Sequence, residues 1–358
     1  MRRCKRCLLP ASVPGTNLDS AGICVHCRTD VPESEQQERK VLYEKRKADL
    51  ETTLRNRRND GGYDALVCLS GGKDSLYLLH RAKIDYGLNV LAFTTDANIP
   101  DVAWSNIRRT VAKLGVDHLV YRPSKIFYRK LFRHLLQNQE PRGAVYTVSY
   151  VYAPLFEGDA LAVATHRGIP LVLAGYSPGQ PEPERMEYEF SRELISDTDW
   201  TPPALRSSGA FDAAELVRFW NPARYPAGTA FPRYLAPFHA WDYDQAEVID
   251  RVRKLGLVSR ASHASPILSN YPVNWLLMYS DLLHFGYNPY VPEFSALIRS
   301  GKANRLYWKF MAPLVDFMIR RKLLLGRETA RQMAWLGLRT EDLRITRPRG
   351  AYDPPLVR

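Results

Sequence analysis

Beyond Cys68 the chain has no cysteine, and it has only five in 358 residues. A body so poor in thiols cannot be stapled by disulfides, and it holds neither a thiol pair nor a cluster-ligating set. No run of eighteen or more apolar residues occurs, which excludes a membrane-spanning helix. The opening MRRCKRCLLP is basic, but no apolar h-region follows, so no secretory signal is expected. A cytoplasmic protein without a membrane partner is the expectation. Internal repeats and low-complexity tracts are also missing, which argues against a solenoid or a disordered chain. Two common nucleotide fingerprints, G-x-x-x-x-G-K-[ST] and G-x-G-x-x-G, are absent as well.

What is present begins with charge. Fifty Lys and Arg against 38 Asp and Glu leave a net charge of +12. The excess is spread over KRKADLETTLRNRRN, RPSKIFYRKLFRH and IRRKLLLGRETAR, where solvated helix faces account for it. Nucleic acid is therefore a partner to be weighed but not the favoured one.

Four of the five cysteines, Cys4, Cys7, Cys24 and Cys27, form C-x2-C-x16-C-x2-C. Two such knuckles place four thiolates around one metal ion, and structural zinc is expected. Four thiolates close the coordination sphere, so the ion would hold a ribbon together and leave no position for catalysis. Cys68 lies inside an apolar run and reads as a small buried hydrophobe.

After a ribbon at 1–32, a charged helix is expected over 33–62, ending at Asn59-Asp60-Gly61-Gly62. Residues 63–178 then alternate: ALVCLS, NVLAFTT, DHLVYR and IPLVLAGYS read as strands. Helices are expected at 73–86, 102–114, 125–137 and 155–168. The uninterrupted apolar strands imply a mostly parallel, doubly wound α/β sheet covered on both faces. Strand ends at 70, 95 and 175 would share the edge where such folds bind ligands. Residues 179–237, rich in Pro, Gly and polar residues, read as an insertion or lid. A mostly helical region over 238–340, its first helix capped by Asp242 or Asp244, and an extended tail at 341–358 complete the expectation.

Where ALVCLS ends, the chain reads Ser70-Gly71-Gly72-Lys73-Asp74-Ser75. Glycines after a buried strand let the backbone turn and aim N–H groups at an anion, and the following helix adds the positive end of its dipole. Lys73 supplies a point charge, Ser70 and Ser75 supply hydroxyls, and Asp74 can hold Mg²⁺. The segment points to a phosphate.

SGGKDS resembles the PP-loop of the ATP pyrophosphatase (adenine nucleotide α-hydrolase-like) superfamily. These enzymes split ATP between its α- and β-phosphates, adenylate an oxygen and let nitrogen or sulfur displace AMP. The order of MRRCKRCLLP, DSAGICVHC, YDALVCLSGGKDS, AWDYDQAEVIDRVRKLGL and FGYNPYVPEFSALIRSGKANR is similar to that of the N-acetyl sugar amidotransferases. That resemblance runs over nearly the whole chain and implies conversion of an acetamido group to an acetamidino group. It places Ser70, Gly71, Gly72, Lys73, Asp74 and Ser75 on the β- and γ-phosphates with Mg²⁺, with Lys73, Asp74 and Ser75 as the catalytic set. It puts Thr94, Thr95 and Asp96 near adenine and ribose, and Gly175 beside the α-phosphate. Two segments depart from the family pattern, SHASPILSNYPVNW and 180–235. Both are expected to line the pocket of a small-molecule acceptor.

The chain shows no glutaminase of its own, so ammonia would come from a separate glutaminase subunit or from solution. No general base stands out; His166, His239, His263 and His284 are candidates, although a lone histidine is more often structural. The alternative is a PP-loop sulfur transferase acting on tRNA or a natural-product carbonyl, its sulfur supplied by a partner. A non-catalytic nucleotide-binding scaffold fits the intact SGGKDS segment less well.

Overall fold

The computed structural model describes residues 2–29, 32–56, 61–178 and 186–353. Asn59 and Asp60 of the expected helix stop, most of PGQPEPE and the last five residues of the tail lie outside these. Residue contacts divide the chain into two units: 41–128, 149–271 and 350–358 in one, and 1–40, 129–148 and 272–349 in the other.

Five strands build the sheet of the first: β1 (Ala65–Cys68), β2 (Val90–Thr95), β3 (Asp117–Tyr121), β4 (Leu171–Leu173) and β5 (Arg233–Leu235). Their order is β3-β2-β1-β4-β5 and every pairing is parallel. The longer helices are, in chain order, α1 (Glu33–Asn56), α2 (Lys73–His80), α3 (Asp101–Leu114), α4 (Lys125–Gln137) and α5 (Ala144–His166). After the sheet come α6 (Gln245–Lys254), α7 (Val273–Phe285), α8 (Val291–Arg299), α9 (Arg305–Arg321) and α10 (Arg327–Leu336).

β1, β2 and β4 are almost wholly apolar because both faces are covered there, whereas β3, at the sheet's edge, starts Asp117-His118 and is only partly buried. Ala65, Val67, Val90, Ala92, Leu171, Leu173 and Leu235 enter one core with α2, α3 and α6, while Leu66, Leu91, Phe93, Val172 and Tyr234 enter another with α5. This is the period-2 alternation of a strand read from two sides. Leu50 and Leu54 of α1 are fully buried in the first core. Each such leucine contributes about 1.5–3 kcal/mol of burial, which anchors a helix whose other positions are mostly charged.

Several elements differ from expectation. The helix expected at 155–168 begins at Ala144 and runs through Pro154. Its first half, AVYTVSYVYAP, is β-branched and aromatic; burial of Val145, Val148, Tyr150 and Val151 outweighs that weak local preference. The helix expected over 73–86 stops at His80 and continues as a π turn, Arg81–Asp85. The Arg233–Leu235 strand falls within the stretch read as an insertion, and only its pairing beside β4 reveals it. Residues 186–231 bury Phe190, Leu194, Ile195, Trp200 and Trp220 against the second face, with the indole N–H groups of Trp200 and Trp220 donating to the carbonyls of Leu194 and Ile195. Asp244, one of two expected caps, accepts from the N–H groups of Ala246 and Glu247 at the start of α6.

The other unit joins the cysteine ribbon to α7–α10. Ile298 of α8 packs on the ribbon's small core, and Arg305 of α9 donates to the carbonyls of Lys5 and Arg6. Phe294 stacks on Trp308 at 3.7 Å between ring centroids. The IRSGKANR stretch is thereby explained locally: it is the collar of the ribbon. Among the described residues no helix is long and apolar enough to cross a membrane.

Candidate functional site

Because all five strands run parallel, their C-terminal ends lie along one edge, and β1 delivers the SGGKDS segment there. Gly71 has φ +80°, and a Cβ on it would fall 2.5 Å from the carbonyl oxygen of Ala103. Only glycine allows both that conformation and that approach of α3. The Asn106 side chain of α3, buried, donates to the carbonyls of Gly71 (3.0 Å) and His263 (2.9 Å) and pins the turn from outside. Ser70 and Ser75 close it from inside: the Ser75 hydroxyl donates to the Gly72 carbonyl at 3.0 Å and accepts from the Ser70 N–H at 3.2 Å. Gly72 caps α2 without a side-chain bond, so no side chain competes for the first-turn N–H groups. Gly175, just past β4, lies against α2 so closely that a Cβ there would sit 2.9 Å from the Ser75 nitrogen.

Lys73 and Asp74 are both buried and held together, Nζ to Oδ2 at 2.6 Å, and the Tyr243 hydroxyl donates to the other Asp74 oxygen at 2.9 Å. Burial works against the lysine's charge, but Asp74 and Tyr243 outweigh it and hold the ammonium above its usual range. Burial, then the Asp74 charge, pushes the Tyr243 phenol up to about 12. Tyr243 and Asn106 are residues that sequence reasoning missed. Tyr243 had a signal, the AWDYDQ stretch, but not a role; an asparagine inside a helix had none.

The three residues at the end of β2 part ways. Thr94 turns inward, donating to the Leu69 carbonyl at 2.6 Å and meeting His118 Nε2 at 2.8 Å. Thr95 donates to Asp159 of α5 at 3.1 Å. Asp96 accepts from the Ile99 N–H at 3.2 Å and pairs with Arg122 at 3.0 Å. Register sets their level: Cys68 pairs with Phe93, so Thr95 stands one strand over from Ser70.

Near Thr95 and Asp159 an aromatic cluster is assembled from distant segments. Tyr152 and Phe156 of α5 flank Tyr271 at 5.5 and 5.7 Å between centroids, and Tyr128 lies 6.0 Å from Tyr152. The Arg218 guanidinium rests on Phe127 at 4.7 Å and near Tyr128 at 5.4 Å. Burial raises the Asp159 carboxyl to about 7, against the lowering pull of the Arg218 charge and the Thr95 hydroxyl. Arg218 and Tyr271 come from the two segments that depart from the family pattern.

Of the candidate histidines, His166 meets the Ala162 carbonyl, His263 meets the Ser259 hydroxyl and His284 meets the Leu343 carbonyl. Burial lowers the pKa of His239. Burial pushes the Cys68 thiol up to about 12, with Tyr234 as its neighbour at 3.7 Å, so it stays protonated at neutral pH.

In the ribbon, the sulfurs of Cys4, Cys7, Cys24 and Cys27 lie within 4.8 Å of one another, Cys4 to Cys27 at 3.8 Å and Cys7 to Cys24 at 3.6 Å. Four sulfurs about 2.3 Å from one ion stand about 3.8 Å apart at tetrahedral angles. The set therefore fits a single metal ion; the sulfurs around a cubane cluster would stand farther apart. The Cys24 N–H and the Arg299 guanidinium donate to the Cys4 and Cys7 sulfurs at 3.3 and 3.4 Å, as outer partners of thiolate ligands do.

No family profile and no curated protein sequence matches the chain. Among solved structures it is similar to the U34-tRNA thiolase NcsA from Methanococcus maripaludis with its [4Fe-4S] cluster, at 13% identity over 93% of this chain and 89% of that one, TM-score 0.37. It is similar to the NH3-dependent NAD synthetase from Campylobacter jejuni, at 14% identity over 84% of this chain and 97% of that one, TM-score 0.35. It is also similar to the NMN synthetase from Francisella tularensis, at 10% identity over 85% and 96%, TM-score 0.35. Likeness at this level assigns no activity to the present chain.

Proposed function

We propose that this chain is a cytoplasmic, ATP-dependent amidotransferase that replaces the amide oxygen of an N-acetyl sugar with nitrogen from ammonia. The observation that carries the reading is the buried Lys73–Asp74 pair at the uncapped start of α2, with the Gly175 backbone against Ser75. Each ion neutralises the other until a nucleotide enters. Lys73 then turns to the β- and γ-phosphates, and Asp74, still bonded by Tyr243, is free to hold Mg²⁺. The metal would supply charge neutralisation to the departing pyrophosphate. Ser70, Gly71, Gly72 and Ser75 bind the phosphates through N–H and hydroxyl groups, and Gly175 borders the α-phosphate. Thr95 and Asp96 face the nucleoside side. Thr94 supports that edge through the Leu69 carbonyl.

The amide oxygen attacks the α-phosphorus and pyrophosphate leaves. Ammonia then adds to the activated carbon, AMP leaves with the former amide oxygen, and loss of a proton gives the amidine. The ammonia is drawn from a separate glutaminase subunit. Cys4, Cys7, Cys24 and Cys27 hold structural zinc, remote in role from the reaction.

Nitrogen is favoured over sulfur because Cys68, the one thiol beyond the ribbon, is kept protonated by burial. The test is product analysis of zinc-loaded protein with ATP, Mg²⁺ and ammonium set against N-acetyl sugars and their nucleotides. AMP, pyrophosphate and a product mass changed by an amide-to-amidine exchange are expected. ADP and phosphate would sink the adenylation reading; AMP formed only with tRNA or with sulfide would sink the acceptor and nitrogen readings while sparing the loop.

A further inference from the structure

Arg218 is anomalous. Its Nε and Nη2 groups are buried and have no hydrogen-bond partner, although the side chain is boxed against Phe127, Tyr128 and Tyr121. A guanidinium is never discharged, and a buried donor left without an acceptor is destabilising. Ring faces offset part of that cost through cation–π attraction but accept no hydrogen bond along the N–H direction. Asp159 feels the Arg218 charge, yet its recorded hydrogen bond is to Thr95, and among the described residues it makes no ion pair with Arg218. Two parallel, unsatisfied donors in a planar fork match a carboxylate or a phosphate.

Position narrows the choice of ligand. Asp159, which feels the Arg218 charge and bonds Thr95, ties the fork to the end of β2, on the edge where open α/β sheets take their ligands. Tyr152 and Phe156 lie beside Tyr128 and against Tyr271, rings of the kind that cover the C–H face of a sugar, with the Asp159 carboxylate placed to accept a hydroxyl. We propose that Arg218 and Asp159 form the acceptor subsite, and that the acceptor is an anionic N-acetyl sugar whose carboxylate or phosphate is gripped by Arg218. This rests on the amidotransferase reading for the identity of the acceptor, and it gives the 186–231 segment a role: it carries the specificity-determining arginine to the sheet edge.

The test measures binding to the full chain, in the presence of a non-hydrolysable ATP analogue, of three probes: N-acetylglucosamine, its 1-phosphate, and the corresponding uronic acid. Native protein is expected to bind at least one anionic probe about 10-fold or more tightly than the neutral sugar, the scale of one charge-assisted bidentate contact. Which anion is preferred distinguishes carboxylate from phosphate. In R218Q the preference collapses to about one while affinity for the ATP analogue is retained; R218K, which keeps the charge but not the fork, retains part of it. Failure of all three probes to bind, absence of an anionic preference in native protein, or equal weakening of neutral and anionic probes in R218Q each overturns the proposal. If R218Q loses the ATP analogue through misfolding, R218K decides alone: an unchanged preference there counts against the fork. The amidotransferase reading fails separately, through absence of AMP formation with ammonium in a protein whose anionic preference is intact.

Discussion

The glycine loop after β1 and the aromatic cluster near the end of β2 are built in opposite ways. The loop is six consecutive residues whose hydroxyl, amide and charged groups reach one another within a single turn. The cluster draws Thr95, Tyr128, Asp159, Arg218 and Tyr271 from five separate segments, and none of them means much beside its chain neighbours. Groups that are chain neighbours can be encoded locally, whereas groups from distant segments meet only where the fold brings them together.

The comparison predicts unequal consequences. Lys73→Ala or Asp74→Asn should lower AMP formation by about 100-fold or more, the cost of deleting one preorganised charge from a charge-stabilised transition state. Near-native AMP release by either variant, measured with saturating ATP, would break the loop's side of the contrast. Gly71→Ala should come next. It forces a side chain into positive φ and into the Ala103 carbonyl, and a loss of about 1–3 kcal/mol is expected in denaturant titration together with weakened ATP binding. Full stability would mean that α3 does not pack on the loop as described.

Tyr243→Phe is milder. The variant keeps the ring and loses one hydrogen bond to a charged oxygen, so a fall in AMP formation of about 10-fold is expected, roughly 1.4 kcal/mol. A fall as deep as that of Asp74→Asn would make Tyr243 part of the chemistry and not a support for Asp74.

The effect at Asp159 is read in stability against pH and not in AMP formation. The Asp159 carboxyl titrates near 7 in the folded chain and near 4 when unfolded. Between those values the folded state holds the extra proton, so native stability falls as pH rises from about 4 to about 7. Asp159→Asn should flatten that slope and leave the variant relatively more stable at pH 8 than at pH 5. Parallel native and variant stability curves against pH would show that Asp159 is not buried as placed.

Legibility follows the same divide. Parallel strands were readable in ALVCLS and NVLAFTT because unbroken apolar runs bounded by turn residues leave few alternatives, and the cysteine spacing named a metal ribbon outright. β5 was not readable: three residues, Arg-Tyr-Leu, carry too little pattern, and only the free edge of β4 made them a strand. The first half of α5 was hidden by residues that favour strands and by Pro154. Histidines drew attention as candidate bases because of their chemistry in isolation; the structure gives His166, His263 and His284 local backbone or side-chain partners.

From sequence alone, then, came the four-cysteine ribbon, the glycine turn after β1 and the alternation of a covered parallel sheet. Each depends on contacts within a few residues or on a periodicity that the backbone imposes. Tertiary structure alone decided that Tyr243 bonds Asp74, that Asn106 pins Gly71, and that Arg218 meets Tyr128. Those contacts join residues separated by up to about 170 positions, and hydrogen bonds and charges are set by distance in space, which only the packing of the sheet and its helices determines.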